Sequence, residues 1–169
     1  MSYNQKFIVG NFYSRKTISD LIMVDGNEPN FLDNREGLYY CKNSDTTILF
    51  CDLNKDEKEK DFKYNDYFES NYFHWDSNNR QHFDVPTIQN IVKKEVEVLL
   101  FSRIEKTVNS KTQPYIYFGR LEYHKHEKNT RNPIHIIYDN IDYDDDLISS
   151  NEHYSKIILW TPENNFTKV

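Results

Sequence analysis

Between Phe62 and Trp75 the chain places seven aromatic residues in fourteen positions: Phe62, Tyr64, Tyr67, Phe68, Tyr72, Phe73 and Trp75. Aromatics are 15% of the whole chain, which predicts about two in such a window. Asp76-Ser77-Asn78-Asn79-Arg80 follows at once, a run of short polar side chains ending in a cation. Rings stack on the faces of a planar ligand, while fixed carboxylate, hydroxyl and amide groups read its edge. By that logic Tyr67, Phe73 and Trp75 are candidate stacking rings, and Asp76, Ser77 and Asn79 are candidate edge readers. The same rings would also fill the core of a Leu-poor domain, since each buries a large area. Pattern alone favours the core reading.

Other chemistry is weaker. His124 and His126 sit two apart on a strand-like run, so both rings are expected on one side, and only His135 is near in sequence. Zinc needs more ligands than that. The acids Asp142, Asp144, Asp145 and Asp146 lack the Gly and the terminal Glu of a calcium loop. A metal-dependent nuclease needs carboxylates and a Lys around a divalent ion, and Asp52, Asp61 and Lys63 are the residues that would serve. In a chain that is 28% charged, such triplets arise by chance. No Gly-rich phosphate loop and no nucleophile elbow is present. No metal and no cofactor is therefore expected, and a binding domain is favoured over an enzyme.

The elements that must position these residues are short. Length, at 169 residues, fits a single domain over 1–169 with a real core. Ser14 to Val24 reads as a helix with Ile18, Leu21 and Ile22 on one face and a capping box at Thr17-Ile-Ser-Asp20. Pro86 to Lys94 reads as a second, with Pro86 in its first turn. Strands are expected at 38–42 and 46–53, joined by a tight Asn43-Ser44-Asp45 turn, and at 96–104, 114–126, 134–138 and 157–160. Along 114–126 the alternation runs through Tyr115, Tyr117, Gly119 and Leu121. Many strands with two short helices imply the α+β class, with a strongly curved mixed or antiparallel sheet or an open barrel.

Net charge is −6, which argues against a protein that coats nucleic acid indiscriminately. The charge is uneven. Residues 102–135 hold seven Lys or Arg against three Glu, while 137–152 hold six acids and neither Lys nor Arg. One region can thus face phosphate while another repels it. Cys41 and Cys51 lie in separate strand-like runs without metal spacing, so reduced cysteines and a cytoplasmic setting are expected. Met1 to Gly10 shows no charged stretch followed by an apolar one, and no run is long enough to span a membrane.

Several stretches resemble a bacterial domain of unknown function found C-terminal to a phospholipase-D-like nuclease and a superfamily 2 helicase in large restriction proteins. They are Tyr13-Ser-Arg-Lys-Thr-Ile18, Gly37-Leu-Tyr-Tyr-Cys-Lys42, Leu49-Phe-Cys-Asp-Leu-Asn-Lys55 and Tyr64-Asn-Asp-Tyr-Phe68. Phe73-His-Trp-Asp-Ser-Asn-Asn79, Leu100-Phe-Ser-Arg103 and Tyr115-Ile-Tyr-Phe-Gly-Arg-Leu121 continue the series. The likeness runs from about residue 12 to about residue 138. It departs at Asn78, where Gln is expected.

The resemblance implies modification-dependent restriction: a reader finds a modified base, often 5-methylcytosine, and attached nuclease and motor modules cut. It also implies a reader similar to the SET- and RING-associated (SRA) fold of the PUA-like group, which flips the base into an aromatic pocket. On that reading Trp75 and either Phe73 or Tyr67 stack, Asp76 accepts from the exocyclic amine, and Ser77 and Asn79 donate or accept. Arg15, Arg80, Arg103 and Arg120 hold the backbone of double-stranded DNA. The rival expectations are a metal-dependent endonuclease and a protein-interaction module without a nucleic-acid role.

Overall fold

The structure is a computed structural model and describes residues 2–22, 37–55, 65–78, 81–127, 130 and 133–162. A 3-10 turn, Tyr3–Lys6, leads into β1 (Phe12–Tyr13) and α1 (Arg15–Leu21). β2 (Leu38–Cys41) and β3 (Thr46–Asp52) form a hairpin, turned by Lys42–Ser44 with Asp45 at φ 46°. β4 (Tyr67–Glu69) and β5 (Tyr72–Asp76) form a second hairpin. Then come α2 (Pro86–Val92), β6 (Glu97–Arg103), and a small hairpin of β7 (Thr107–Val108) and β8 (Lys111–Thr112). The long β9 (Tyr115–His126), β10 (His135–Asn140), α3 (Asp145–Ser150) and α4 (Glu152–Leu159) complete the order.

The main sheet runs β2-β3-β6-β9-β10-β5-β4, with β1 paired to β9. All neighbours are antiparallel except β3 and β6, which are parallel and joined through the β4–β5 hairpin and α2. A parallel pair needs such a long crossover and cover on both faces. Both strands have it, for Thr46 to Cys51 and Val98 to Arg103 are all buried. On one face Leu49, Leu100, Phe118, Tyr138, Phe73 and Tyr154 belong to a single cluster with α2 and α4. On the other, Ile48, Phe50, Leu99, Phe101, Tyr115 and Tyr117 pack against Phe7 and Ile18.

The protein is thus α+β with a mixed sheet, as expected, and has four short helices among the described residues where two were anticipated. Contacts also reach between strands that are not neighbours in the sheet. The Phe68 ring on β4 lies 5.0 Å from Phe118 on β9, and Lys55, just past β3, reaches Asp66, just before β4, at 2.9 Å. No pairing closes it into a barrel among the described residues.

Three local expectations need correction. Ser14, not Thr17, caps α1: its hydroxyl accepts from the Thr17 amide at 3.1 Å, and Asp20 pairs instead with Lys16. Residues 157–160 fall in and just after α4 rather than in a strand. Tyr154, Ile157 and Ile158 stand at i, i+3, i+4 and bury one helical stripe, a pattern that a four-residue apolar run cannot distinguish from a strand. The acids at 144–146 start α3, where Asp144 accepts from the amides of Asp146 and Leu147, and where negative charge suits the helix dipole.

The third correction concerns β9. A bulge between the partners of Leu100 and Phe101 shifts its alternation, so Tyr115 and Tyr117 lie on one face and Phe118 and Leu121 on the other. Gly119 makes this possible at φ 87°, where an added Cβ would stand 2.5 Å from Asp142 Cβ.

Candidate functional site

The β4–β5 hairpin turns through Ser70 and Asn71, with Ser70 at φ 54°. Alternation then divides its rings. Phe68, Phe73 and Trp75 point into the core. Tyr67, Glu69, Tyr72, His74 and Asp76 point the other way, because successive strand residues face opposite sides. β10 adds His135, Ile137 and Asp139 to that outward face, opposite Asp76, His74 and Tyr72. None of these outward residues belongs to either hydrophobic cluster.

A second bulge, on β9 between the partners of Ile137 and Tyr138, leaves His124 without a register partner. The two histidines of the His-x-His pair are therefore split. His124 joins the outward face, 3.5 Å from Asp139 and with its ring 5.2 Å from Tyr72. His126 takes the core side, with Tyr123 at 2.7 Å and Phe83 beside it.

On the outward face the polar groups form one hydrogen-bonded line. Glu69 Oε1 lies 3.2 Å from His74 Nε2. His74 Nδ1 lies 2.8 Å from His135 Nε2, and His135 Nδ1 lies 2.5 Å from Asp76 Oδ1. The Asn65 amide donates to Asp76 Oδ2 at 2.7 Å, and the Asp76 amide donates to Asp66 Oδ1 at 3.0 Å. Lys55 Nζ closes the line on Asp66 Oδ2. Tyr67 lies flat on His74, ring centroids 4.4 Å apart and planes 6° from parallel. His74 and His135 are 6% and 8% exposed, so these rings are held rather than loose.

Charges along the line are set by their neighbours. Burial pulls the His135 imidazole down, but the hydrogen bond and charge of Asp76 outweigh it and raise His135 above its ordinary value. Burial raises the Asp66 carboxyl. Burial opposes the Lys55 ammonium, yet the charge of Asp66 holds it above the usual lysine range. Among the described residues no cluster of three or more His, Cys, Asp or Glu could hold a metal ion.

Of the residues anticipated from sequence, Tyr67 and Asp76 meet on this face. Phe73 and Trp75 do not: they are 0% and 4% exposed and fill the core. Ser77 is buried and structural, its hydroxyl accepting from the Ile134 amide at 2.9 Å. Asn79 and Arg80 lie outside the described residues. His74, His135 and Glu69 were missed. The alternation in Phe73-His74-Trp75-Asp76 was the available signal, since whichever face takes Phe and Trp leaves His and Asp on the other.

Of the anticipated cations, Arg15, Arg103 and Arg120 are engaged within the protein. Arg103 is 7% exposed and grips Asp52, Nε to Oδ1 at 2.5 Å, while donating to the Gln113 carbonyl and lying over the Tyr115 ring. Arg15 lies over Phe50 and donates to the Tyr115 hydroxyl. Arg120 is paired through two nitrogens with Asp142, whose carboxyl it holds below the ordinary range. Asp52 is thus occupied by Arg103, and its proposed nuclease companions Asp61 and Lys63 lie outside the described residues.

Cavities lie elsewhere among the described residues. A cleft of about 370 Å³ runs between the end of α2 and strands β6 and β9. Among its lining residues Lys94 pairs with Glu122 and Arg120 with Asp142 nearby, while Glu95 and Glu97 add two further acids. A groove of about 180 Å³ beside β1 and α4 is lined by Phe12, Ile104, Val108, Ile116, His153 and Ile157. No helix among the described residues is long and apolar enough to cross a membrane. Both cysteines are buried and free.

A family model described as a domain of unknown function, DUF3427, matches residues 7–140, which takes in every strand and the whole outward face. No curated protein matches the chain.

Proposed function

This chain belongs to the DUF3427 family, and we propose that it is a DNA-binding specificity domain that reads a modified base, of the 5-methylcytosine type, on the outward face of β4, β5 and β10. One observation carries the reading: flat rings and a fixed polar line share that face and belong to neither hydrophobic cluster. Tyr72 and His124, both partly exposed, are the rings a base reaches, and Tyr67 on His74 is a stack already formed. Base stacking on such a ring contributes about 1–3 kcal/mol. Asp76 keeps lone pairs beyond those used by His135 and the Asn65 amide, so it can accept from an exocyclic amine.

The fold reading goes with the function. On this reading the sheet is an open barrel of the PUA-like kind, with Lys55–Asp66 and Phe68–Phe118 reaching between strands that are not neighbours in it. The domain supplies recognition in modification-dependent restriction, and nuclease and helicase modules, in the same or another chain, supply cutting. Asp139 and Glu69 on the same face oppose indiscriminate binding of a polyanion, which suits a reader more than a coating protein.

Fluorescence anisotropy at one stated salt concentration tests this, comparing plain, 5-methylcytosine, 5-hydroxymethylcytosine and N6-methyladenine duplexes. The expected result is that one modified duplex binds about tenfold or more tighter than plain DNA, and that Tyr72→Ala removes the preference without unfolding the domain. Equal, weak binding of all four duplexes overturns it.

A further inference from the structure

The line Glu69–His74–His135–Asp76 has a proton-count problem that its geometry resolves. Each imidazole turns one nitrogen to a carboxylate and the other to its neighbour. A ring that donates its outer N–H to a carboxylate leaves a lone pair on its inner nitrogen. With both outer nitrogens protonated, two lone pairs would face each other at 2.8 Å, which is repulsive. A proton between His74 Nδ1 and His135 Nε2 removes the conflict and makes the pair a single cation between two carboxylates. Carboxylates behind both outer nitrogens favour that charge, as they do for histidines that hold a metal.

The two carboxylates differ. Asp76 is 10% exposed and also held by the Asn65 amide, so it is fixed. Glu69 is 71% exposed and rests on His74 Nε2 by one 3.2 Å contact. A surface carboxylate so lightly held occupies the place an incoming anionic oxygen would take. We propose that the His74–His135 pair shares one proton and that His74 Nε2 is a phosphate-oxygen subsite, from which a phosphate displaces Glu69. This rests on the reading of the outward face as the nucleic-acid surface, since a DNA phosphodiester is the natural source of that oxygen.

The surrounding charges set the sign of the pH dependence. Facing the pair are Glu69 and the Tyr67 ring from β4, Asp76 and Tyr72 from β5, and Asp139 from β10. His124 and Lys125 contribute from β9, Glu127 acts on His135 from beyond it, and Asp66 with Lys55 lies behind Asp76. The acids outnumber the fixed cations, so the shared proton is retained near neutral pH. Phosphate affinity is therefore highest while the pair is charged, and falls as pH rises and the pair loses its proton.

The test is nitrogen-detected NMR of the imidazoles in the full chain, with inorganic phosphate and with a 5-methylcytosine duplex added separately. Three protons on the four ring nitrogens near pH 7 are expected, with His74 Nε2 shifting on addition of either probe. Glu69→Gln should raise duplex affinity about threefold or more, and His135→Asn should lower it by a similar factor and flatten its pH dependence. Two protons on the four nitrogens, or a His74 signal unmoved by both probes, overturns the proposal. A duplex that binds without moving His74 sinks this subsite and leaves the reader reading intact. A His74 that answers inorganic phosphate while no duplex binds leaves the subsite standing and sinks the reader.

Discussion

Phe73 and Trp75 on one side of β5, and His74 and Asp76 on the other, are all largely removed from water, yet they are held by different physics. On the core side, rings meet rings: Phe73 lies 4.8 Å from Phe68, and Trp75 6.2 Å from Tyr138. That side is held by area removed from water, at about 1.5–3 kcal/mol for a fully buried large side chain. On the outward side each buried polar atom needs a named partner, because an unpaired one costs about 1–3 kcal/mol. Such a line of hydrogen bonds contributes little net stability. The comparison teaches where to look for function: the core face of β5 is fully accounted for by stability, and the outward face is not.

Substitutions should separate the two sides. Phe73→Ala is expected to destabilise most, by about 3–5 kcal/mol in denaturant unfolding, because it opens a cavity where the site cannot collapse. Trp75→Ala should behave alike, so any loss of ligand binding in either variant should follow unfolding. Should either one bind as poorly while remaining folded, the core assignment of that ring is wrong. Asp76→Ala should cost less, about 1–3 kcal/mol, since it strands His135 and the Asn65 amide.

A pH titration sharpens the contrast. His135 is raised above 6.5 in the folded chain, so its contribution to stability is present in full below 6.5 and lost as pH rises through the folded value. Stability measured by denaturant midpoint should fall over that window in the wild type and stay flatter in His135→Gln. The core side, as in Phe73→Ala, should keep the wild-type pH profile on a lower baseline. Smallest of all, Lys16→Ala on α1 should change stability by about 0.5 kcal/mol or less, as its pair with Asp20 is solvent-exposed.

Much of the fold was legible because the strands are rich in β-branched and aromatic residues and the turns carry Asn, Asp and Ser. Leu38–Cys41, Thr46–Asp52, Glu97–Arg103 and Tyr115–His126 all stand where the runs put them. α4 was misread because Ile157-Ile158-Leu159-Trp160 is too short to show its period, and its three-four spacing depends on Tyr154. The two bulges on β9 were invisible, since each depends on what the partner strand offers. They decide real chemistry, for the second one sends His124 and His126 to opposite faces.

The candidate site was half legible. Its segment was found from aromatic density, but density does not say which rings face in. His74 and His135 are 61 residues apart, and only the β5–β10 pairing brings them to 2.8 Å. The arginines show a related gap: sequence does not reveal that Asp52 holds Arg103 and Asp142 holds Arg120.

The central claim is that ligand meets the outward face of β4, β5 and β10, and amide NMR mapping with the best-binding modified duplex tests it most directly. The account predicts perturbed amides from Tyr67 to Asp76 and from His135 to Asp139, with little change along α2 and the start of β6. Perturbation centred on residues 91–98 and 120–123, or none at saturating duplex, would contradict it.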